Sequence, residues 1–461
     1  MIGGIFILLF TAMSIYICTY TYDHQDELFE NDYNHREEKL LSQNLRGMIY
    51  SADGKVLAQT VAYEDGTEER DYPYANLFSH IIGYDTMGRS GVEALENRTL
   101  VESGLSIQEK TSYDDKGRKY PGNNVYTTLD TGLQEAASQA LGIYKGAIVV
   151  TEVSTGKILA CVSKPDFDPN TIEEEWTSLT EDNESGKLVN RATQGKYPPG
   201  STFKILDSIE YLQEHDGSCS GYSYNCSGSF SRDGAAIHCF HNEVHGSVDF
   251  ASSFAHSCNC SFANIGTGLD RSSFAQTLKS LYFNTQLPFE LSSSVSNASL
   301  SSSSTTDDVV QLSIGQGTTV MSPLHLNMIT GMIANHGEMM KPYVVDRVTT
   351  ASGTVLSSAS PTSLGQLISE EVSDQMITLM RGVITGGTAS KLKSASYEAA
   401  GKTGSAEFEE GTSNSHAWFT GFAPASDPEI CVTVVIEGAG SGGDYAVPMA
   451  KRVLDAYFEA Y

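Results

Sequence analysis

Three short signatures stand in one order along the chain: Ser201-Thr202-Phe203-Lys204, Ser257-Cys258-Asn259 and Lys402-Thr403-Gly404. In pattern form they are S-x-x-K, S-x-N and K-T-G. They constrain the fold more than any other feature, because a working set requires three distant segments to meet in one cleft. Each signature alone is weak. S-x-x-K recurs at Ser154–Lys157 and Ser390–Lys393, and S-x-N recurs at Ser42–Asn44 and Ser223–Asn225, whereas K-T-G does not recur. The ordered conjunction, with a long gap before K-T-G, carries the specificity.

The residue types suit acyl transfer. Pro198-Pro199-Gly200 ends an extended approach, and Ser201 opens a helix continuing through Phe203-Lys204-Ile205-Leu206. At i and i+3, Ser201 and Lys204 share one helix face, so the amine reaches the hydroxyl. The helix N-terminus offers free N–H groups to a developing oxyanion. A serine hydroxyl needs a base, and a lysine serves only if burial or nearby positive charge lowers its pKa. Lys402 supplies that charge. Ser257 can relay a proton to a leaving amine, and the Asn259 amide can hold Lys204 and a substrate carbonyl together. Lys402 and Thr403 can bind a substrate carboxylate. Gly404 lets a substrate backbone lie against the strand. The N–H of Ser405, with that of Ser201, forms an oxyanion hole. Each piece has a plain competing reading: a serine cap with a solvated lysine, a polar helix start, a turn. The conjunction sets these aside. His416 and Trp418 alternate on one strand face and read as wall of the sheet or cleft, and Glu407 reads as a loop charge.

The chain has 461 residues and a formal net charge of -28. That charge repels phosphate backbones and disfavours nucleic-acid binding. Met1 to Tyr22 carries no charged side chain, and Tyr16, Tyr20 and Tyr22 cluster toward its end. Roughly 20 such residues span a bilayer, and aromatics favour its interface. A cleaved signal peptide is the competing reading, but no A-x-A site follows. The expectation is a single-pass anchor in the cell membrane with the body outside the cytoplasm.

The organisation reads as an anchor (1–22), a polar helical stalk (23–45), a small module (46–122) and a large domain (123–461). The small module opens on a hairpin about Ala52-Asp53-Gly54. In the large domain Asp130 or Thr131 caps a helix. Ala147–Val150 and Ile158–Val162 form a hairpin whose turn is Ser154–Lys157. Residues 291–308, rich in serine, read as a mobile surface loop. Ala399–Ala406, His416–Phe422 and Ile430–Glu437 read as consecutive strands, and a helix from Val447 to Tyr461 closes the chain, with Pro448 in its first turn.

Of eight cysteines, Cys18 lies in the span, and Cys161 and Cys431 read as buried fillers. Cys219, Cys226, Cys239, Cys258 and Cys260 crowd into one region. Two extended stretches bracket the turn Arg232-Asp233-Gly234, so a hairpin is expected to bring Cys226 and Cys239 within roughly 4–7 Å in Cα terms, the range of a disulfide. Such a bond contributes about 3 kcal/mol. Cys258 and Cys260 are not expected to pair with each other. Zinc is the second reading, since His238, His241, His245 and His256 are near. The spacing fits no standard finger, so no metal and no cofactor is expected.

At this point the chain resembles a class B penicillin-binding protein, a monofunctional peptidoglycan D,D-transpeptidase of the compact Gram-positive type. Besides the three signatures, the resemblance rests on Arg46-Gly47 with Asp53-Gly54 and Leu57-Ala58, on Gly91-Val92-Glu93, and on Asn190-Arg191-Ala192. It also rests on Ser313-Ile314-Gly315-Gln316-Gly317, Ser322-Pro323-Leu324 and Gly387-Thr388-Ala389. It implies an α+β penicillin-binding transpeptidase or serine β-lactamase-like domain, a five-stranded antiparallel sheet with flanking helices and a helical subdomain. It implies a small N-terminal pedestal, similar to a dimerisation module. It implies that Ser201 forms an acyl-enzyme with D-Ala-D-Ala stem peptides and that β-lactams inhibit by acylating it. A membrane glycan polymerase is the implied partner. The alternatives are a β-lactam-hydrolysing or β-lactam-sensing protein on the same fold, or a mainly non-catalytic scaffold for a glycan polymerase.

Overall fold

A continuous helix runs from Ile2 to Asp23, and Gly3–Asp23 is long and apolar enough to cross a membrane, with none of it buried against the rest of the chain. Two of its hydroxyls bond back into the helix: Thr11 donates to Ile7 O at 2.9 Å and Thr19 to Ile15 O at 3.0 Å. Such back-bonding removes polar groups that lipid could not satisfy. The structure is a computed structural model describing residues 2–24, 28–29, 35–182, 184–408 and 414–460. The expected stalk therefore lies partly outside the described residues. Its described end is the helix Arg36–Gln43, which is not freely solvated, because Glu37 pairs with Arg89 of the small module.

Ile49–Tyr50 and Val56–Ala62 form the expected hairpin. They belong to a six-stranded sheet in the spatial order Val355–Ser358, Val345–Thr349, Asn124–Thr127, Ile49–Tyr50, Val56–Ala62, Glu68–Asp71. Three of these strands lie beyond residue 122, so one sheet crosses the boundary expected at 122/123. Below it sits a buried ionic cluster. Arg46 Nε donates to Glu93 Oε2 at 2.7 Å, and Arg70 Nε donates to Glu93 Oε1 at 2.8 Å. Burial pushes the Glu93 carboxyl up, and the two guanidiniums more than offset it, so Glu93 stays below its usual range.

The second sheet carries the chemistry. Its five strands are all antiparallel, in the order Ala400–Glu407, Ser415–Ala423, Ile430–Ile436, Gly146–Glu152, Ile158–Lys164. The central strand Ile430–Ile436 is buried throughout, as a strand covered on both faces must be. The helix Pro323–Ala334 lies against one face. Asn327 Oδ1 accepts from Thr151 Oγ1 at 2.6 Å, and Thr330 and Thr420 share a 2.7 Å hydroxyl bond. The helices Thr131–Leu141 and Val447–Ala460 pack together over the sheet. Asp130 caps the first of them by accepting from Leu133 N at 2.8 Å. Residues 291–308 differ from the expected mobile loop. Ser296 and Ala298 are buried, Asn297 bridges Val320, and Thr305 starts the helix Thr306–Ser313 with a capping box. The serines there serve as backbone partners, Ser294 Oγ donating to Gln194 O at 2.7 Å and Ser296 Oγ accepting from Ser322 N at 3.2 Å, which composition alone does not distinguish from solvation.

Candidate active site

Ser201 sits half-buried in a tight helical turn, Gly200–Phe203, that runs directly into the helix Lys204–Glu214. The turn is wedged between two backbones. A Cβ on Gly315 would come within 2.1 Å of Gly200 O, and a Cβ on Gly404 would come within 2.9 Å of Pro199 O. Gly404 is thus required by the close approach of the Ser201 turn. This close approach is a second requirement beside the expected room for a substrate backbone. Trp418 Nε1 donates to Pro198 O at 3.0 Å and anchors the approach to the turn, in keeping with its expected wall role.

Lys204 is fully buried and makes four close polar contacts: Ser201 Oγ at 3.0 Å, Ser257 O at 2.7 Å, Ser257 Oγ at 3.1 Å and Asn259 Oδ1 at 2.7 Å. The orientation of the Asn259 amide is fixed, because its Nδ2 donates to His238 O at 3.1 Å. Two of the four partners, a backbone carbonyl and an amide oxygen, can only accept. In a neutral amine they take both N–H groups, and the lone pair is left for a hydroxyl proton. Burial pushes Lys204 down to about 8, so the neutral form is accessible near physiological pH.

Lys402 is also fully buried, with Nζ donating to Ser257 Oγ at 2.9 Å and to Thr403 O at 3.1 Å. Burial, and then the positive charge of Lys204, hold it well below the ordinary lysine range. The Ser257 hydroxyl therefore sits between two lysines, and the chain Ser201–Lys204–Ser257–Lys402 is continuous. Both ammoniums face aromatic rings: Lys204 lies 5.4 Å from the Phe262 centroid and Lys402 5.5 Å from that of Phe254. Ser257 itself adopts a left-handed backbone, φ 58°, which brings its carbonyl and its hydroxyl onto the same amine.

The other expected residues are placed with less commitment. The Thr403 hydroxyl pairs with that of Thr388 at 2.6 Å, and Ser405 Oγ accepts from Gly442 N at 3.2 Å. Both lie on Ala400–Glu407, the outer strand of its sheet, whose free edge borders the Ser201 turn. Lys402 Nζ contacts Ser257 Oγ and Thr403 O, an arrangement that suits the expected electrostatic part. Thr388 enters the sequence reading only within the family-like Gly387-Thr388-Ala389, with no role attached, and spacing does not point to the His238 carbonyl, because each acts through a contact with a segment remote in sequence. The repeats of the motifs stay apart from the site: Ser154–Lys157 is a strand turn and Ser390–Leu392 a short helical turn.

The expected Cys226–Cys239 disulfide is corrected. All described cysteines are free, and these two sulfurs are 3.7 Å apart, against about 2.05 Å for a disulfide. The hairpin that brings them together is as expected, with Ser229–Arg232 paired to Ala235–His238. What spacing misses is that Cys258 and His245 converge on the same point, so the pair is not isolated.

Comparison with known proteins agrees with this geometry. The model of the penicillin-binding protein transpeptidase domain matches residues 146–455, and that of the penicillin-binding protein A dimerisation domain matches residues 46–125. The peptidoglycan D,D-transpeptidase PbpA of Mycolicibacterium smegmatis is 30% identical over 442 residues, covering 89% of this chain and 88% of the relative. Among solved structures, the D,D-transpeptidase domain of a peptidoglycan glycosyltransferase from Eggerthella lenta is 31% identical with a TM-score of 0.79, covering 91% of this chain and 99% of that one. The penicillin G acyl-enzyme complex of penicillin-binding protein A from M. tuberculosis is 27% identical with a TM-score of 0.81, covering 90% and 100%. Signatures, sheet and relatives agree along nearly the whole length, and the chain belongs to the penicillin-binding protein transpeptidase family.

Proposed function

We propose that this chain is a serine-type peptidoglycan D,D-transpeptidase in which Ser201 is the nucleophile and Lys204 its base. The carrying observation is the 3.0 Å contact from Lys204 Nζ to Ser201 Oγ, made by a buried amine whose other contacts include two obligate acceptors. Ser201 Oγ attacks the carbonyl of the penultimate D-alanine while its proton passes to Lys204. The ester forms, the peptide bond breaks, and the terminal D-alanine leaves with a proton delivered through Ser257. An amine of a second stem peptide then attacks the ester and regenerates the hydroxyl. Asn259 positions Lys204, and Lys402 keeps a positive charge or a shared proton beside Ser257. Thr403, Gly404 and Ser405 line the edge on which the stem peptide docks, and the N–H groups of Ser201 and Ser405 receive the oxyanion. β-Lactams acylate the same serine, and their slow release makes them inhibitors.

The same reading divides the chain into an anchor (1–22), a stalk (23–45), a pedestal (46–122) and a transpeptidase domain (123–461) that lends three strands to the pedestal sheet. The exposed apolar helix Gly3–Asp23 supports single-pass attachment with the catalytic domain outside the cytoplasm, close to a membrane glycan polymerase that supplies nascent strands. Co-purification of a polymerase from native membranes tests that partnership. The catalytic assignment is tested by labelling with fluorescent penicillin and by intact mass. The parent should gain one adduct at Ser201, and Ser201→Ala should gain none while keeping its thermal transition. Labelling of the alanine variant at the parental level overturns the assignment.

A further inference from the structure

We propose that Cys226, Cys239, Cys258 and His245 bind one zinc ion, and that the ion holds the Ser257–Asn259 turn in its working position. The four ligand atoms lie within 4.8 Å of one another. Three of the six separations match the edges of a tetrahedron around a shared centre, and the other three are no longer than 4.8 Å. Cys226 Sγ to Cys239 Sγ is 3.7 Å, Cys239 Sγ to Cys258 Sγ is 3.7 Å, and Cys226 Sγ to His245 Nδ1 is 3.6 Å. With Zn–S about 2.3 Å and Zn–N about 2.0–2.1 Å, tetrahedral edges are about 3.8 Å between sulfurs and about 3.6 Å from sulfur to nitrogen. A set of three thiolates and one imidazole with tetrahedral edges is a closed structural zinc site, with no position left for water.

The surrounding contacts are those a metal site needs. Two backbone N–H groups point at the sulfurs, Gly228 N to Cys226 and Ser261 N to Cys258, each at 3.4 Å. Cys258 is the N-cap of the helix Asn259–Gly266, a position that favours a thiolate. His245 presents Nδ1 to the sulfurs, while its Nε2 lies 3.7 Å from a carboxylate oxygen of Glu243. A carboxylate behind a metal-bound imidazole orients the ring. The three cysteines are buried, and the His245 side chain is 9% exposed. Cys260 Sγ lies 3.4 Å from Cys239 Sγ but is not one of the four mutually close groups.

The ligands come from separate elements that meet in one small buried cluster with Phe230, Ile237 and Val310. Cys226 ends the strand Ser223–Cys226, whose pairing with Gly246–Asp249 sets Gly246 opposite Cys226 and brings His245 alongside. Cys239 ends the hairpin Ser229–His238, and Cys258 is the middle residue of the S-x-N signature. One ion would therefore tie the hairpin, the loop and the signature together. The consequence reaches the catalytic base in two steps. His238, next to Cys239, holds the Asn259 amide through its carbonyl, and Asn259 and Ser257, on either side of Cys258, hold Lys204. The four ligands, Cys226, Cys239, His245 and Cys258, act as positioning residues, and none hydrogen-bonds the Ser201 hydroxyl.

The test uses the detergent-solubilised full chain, purified under reducing conditions without chelator. Elemental analysis should find about one zinc per chain that survives dialysis. A thiol-directed mercurial should release it, and Co2+ loaded in its place should give the strong visible bands of a tetrahedral thiolate site. His245→Ala should lose the metal, His245→Cys should regain it, and Cys219→Ser should keep it. Absence of metal from the parent, with a Cys226–Cys239 disulfide in the peptide map, overturns the site. Zinc retained undiminished by His245→Ala and Cys226→Ser overturns the ligand set. The positioning part rests on the acylation chemistry proposed above and is read separately. Stripping the metal should slow penicillin acylation by about tenfold or more, and Zn2+ alone should restore it. An unchanged acylation rate in a stripped chain that still rebinds zinc refutes the positioning part while leaving both the metal site and the transpeptidase reading standing.

Discussion

Two clusters of charged side chains are buried in this molecule, and they are built on opposite rules. In the pedestal, Glu93 meets Arg46 and Arg70, and both of its oxygens are bonded to guanidinium nitrogens. In the cleft, Lys204 and Lys402 share one serine hydroxyl. Among the described residues, neither lysine forms an ion pair with a carboxylate. The pedestal cluster balances its charges, so Glu93 remains ionised and the group is structural. In the cleft no described carboxylate comes within ion-pair distance of either amine, and burial outweighs the attraction of the buried Asp207 carboxyl one helical turn from Lys204, so both amines are pushed toward the neutral form. That is costly for the fold and is what a base requires.

The widest separation between the clusters comes from removing one member of each. Glu93→Ala leaves two buried guanidiniums without their carboxylate and should destabilise the protein by about 3–5 kcal/mol, read from chemical denaturation. The penicillin acylation rate of the molecules that remain folded should not change. Lys204→Met should do the reverse to stability. The folded pKa of Lys204, about 8, lies below its unfolded value. The folded state therefore binds fewer protons between the two values, stability rises with pH through that window, and at neutral pH the buried amine costs the fold free energy. A methionine removes that cost, so the variant should be more stable at pH 7 by about 1–3 kcal/mol, seen as a higher Tm. A lower Tm for Lys204→Met would break the comparison.

Acylation of the parent should rise with pH as Lys204 loses its proton, with a midpoint near 8 and about tenfold per pH unit below it. A profile that stays level from about pH 6 to pH 9 contradicts an amine base. The smallest effect concerns the far wall of the cleft. Thr388→Val removes the 2.6 Å bond to Thr403, and a loss of about 1 kcal/mol should slow acylation several-fold. An effect as large as that of losing the base would mean that the Thr388 hydroxyl takes part in the chemistry.

How much of this was legible in sequence follows from the range of each contact. Ser201 and Lys204 are one helical turn apart, so local spacing announces their meeting. The hairpin Ala147–Val150 with Ile158–Val162, the three late strands and the cap at Asp130 are likewise written in period and turn residues, whereas the joining of the last strand to the first hairpin is a long-range pairing that only the family resemblance implies. The service of Lys402 to Ser257, the need for Gly404 beneath Pro199, and the convergence of Cys226, Cys239, His245 and Cys258 depend on pairing between segments remote in sequence. The cysteine spacing suggested a two-membered bridge, because a hairpin can be read locally, whereas the loop and the helix cap that complete the set cannot. Residues 291–308 misled for a related reason: serine is as suited to capping and backbone pairing as to solvent.

The central claim is that Lys204, buried without an ion-pair contact, activates Ser201. The most direct test is the second-order rate constant for penicillin G acylation of Lys204→Met beside the parent, measured by intact mass at pH 8 on protein shown to be folded. The account predicts a fall of about 10²–10⁴-fold, the range of a lost general base, in a variant at least as stable as the parent. A rate within a few-fold of the parent would contradict it.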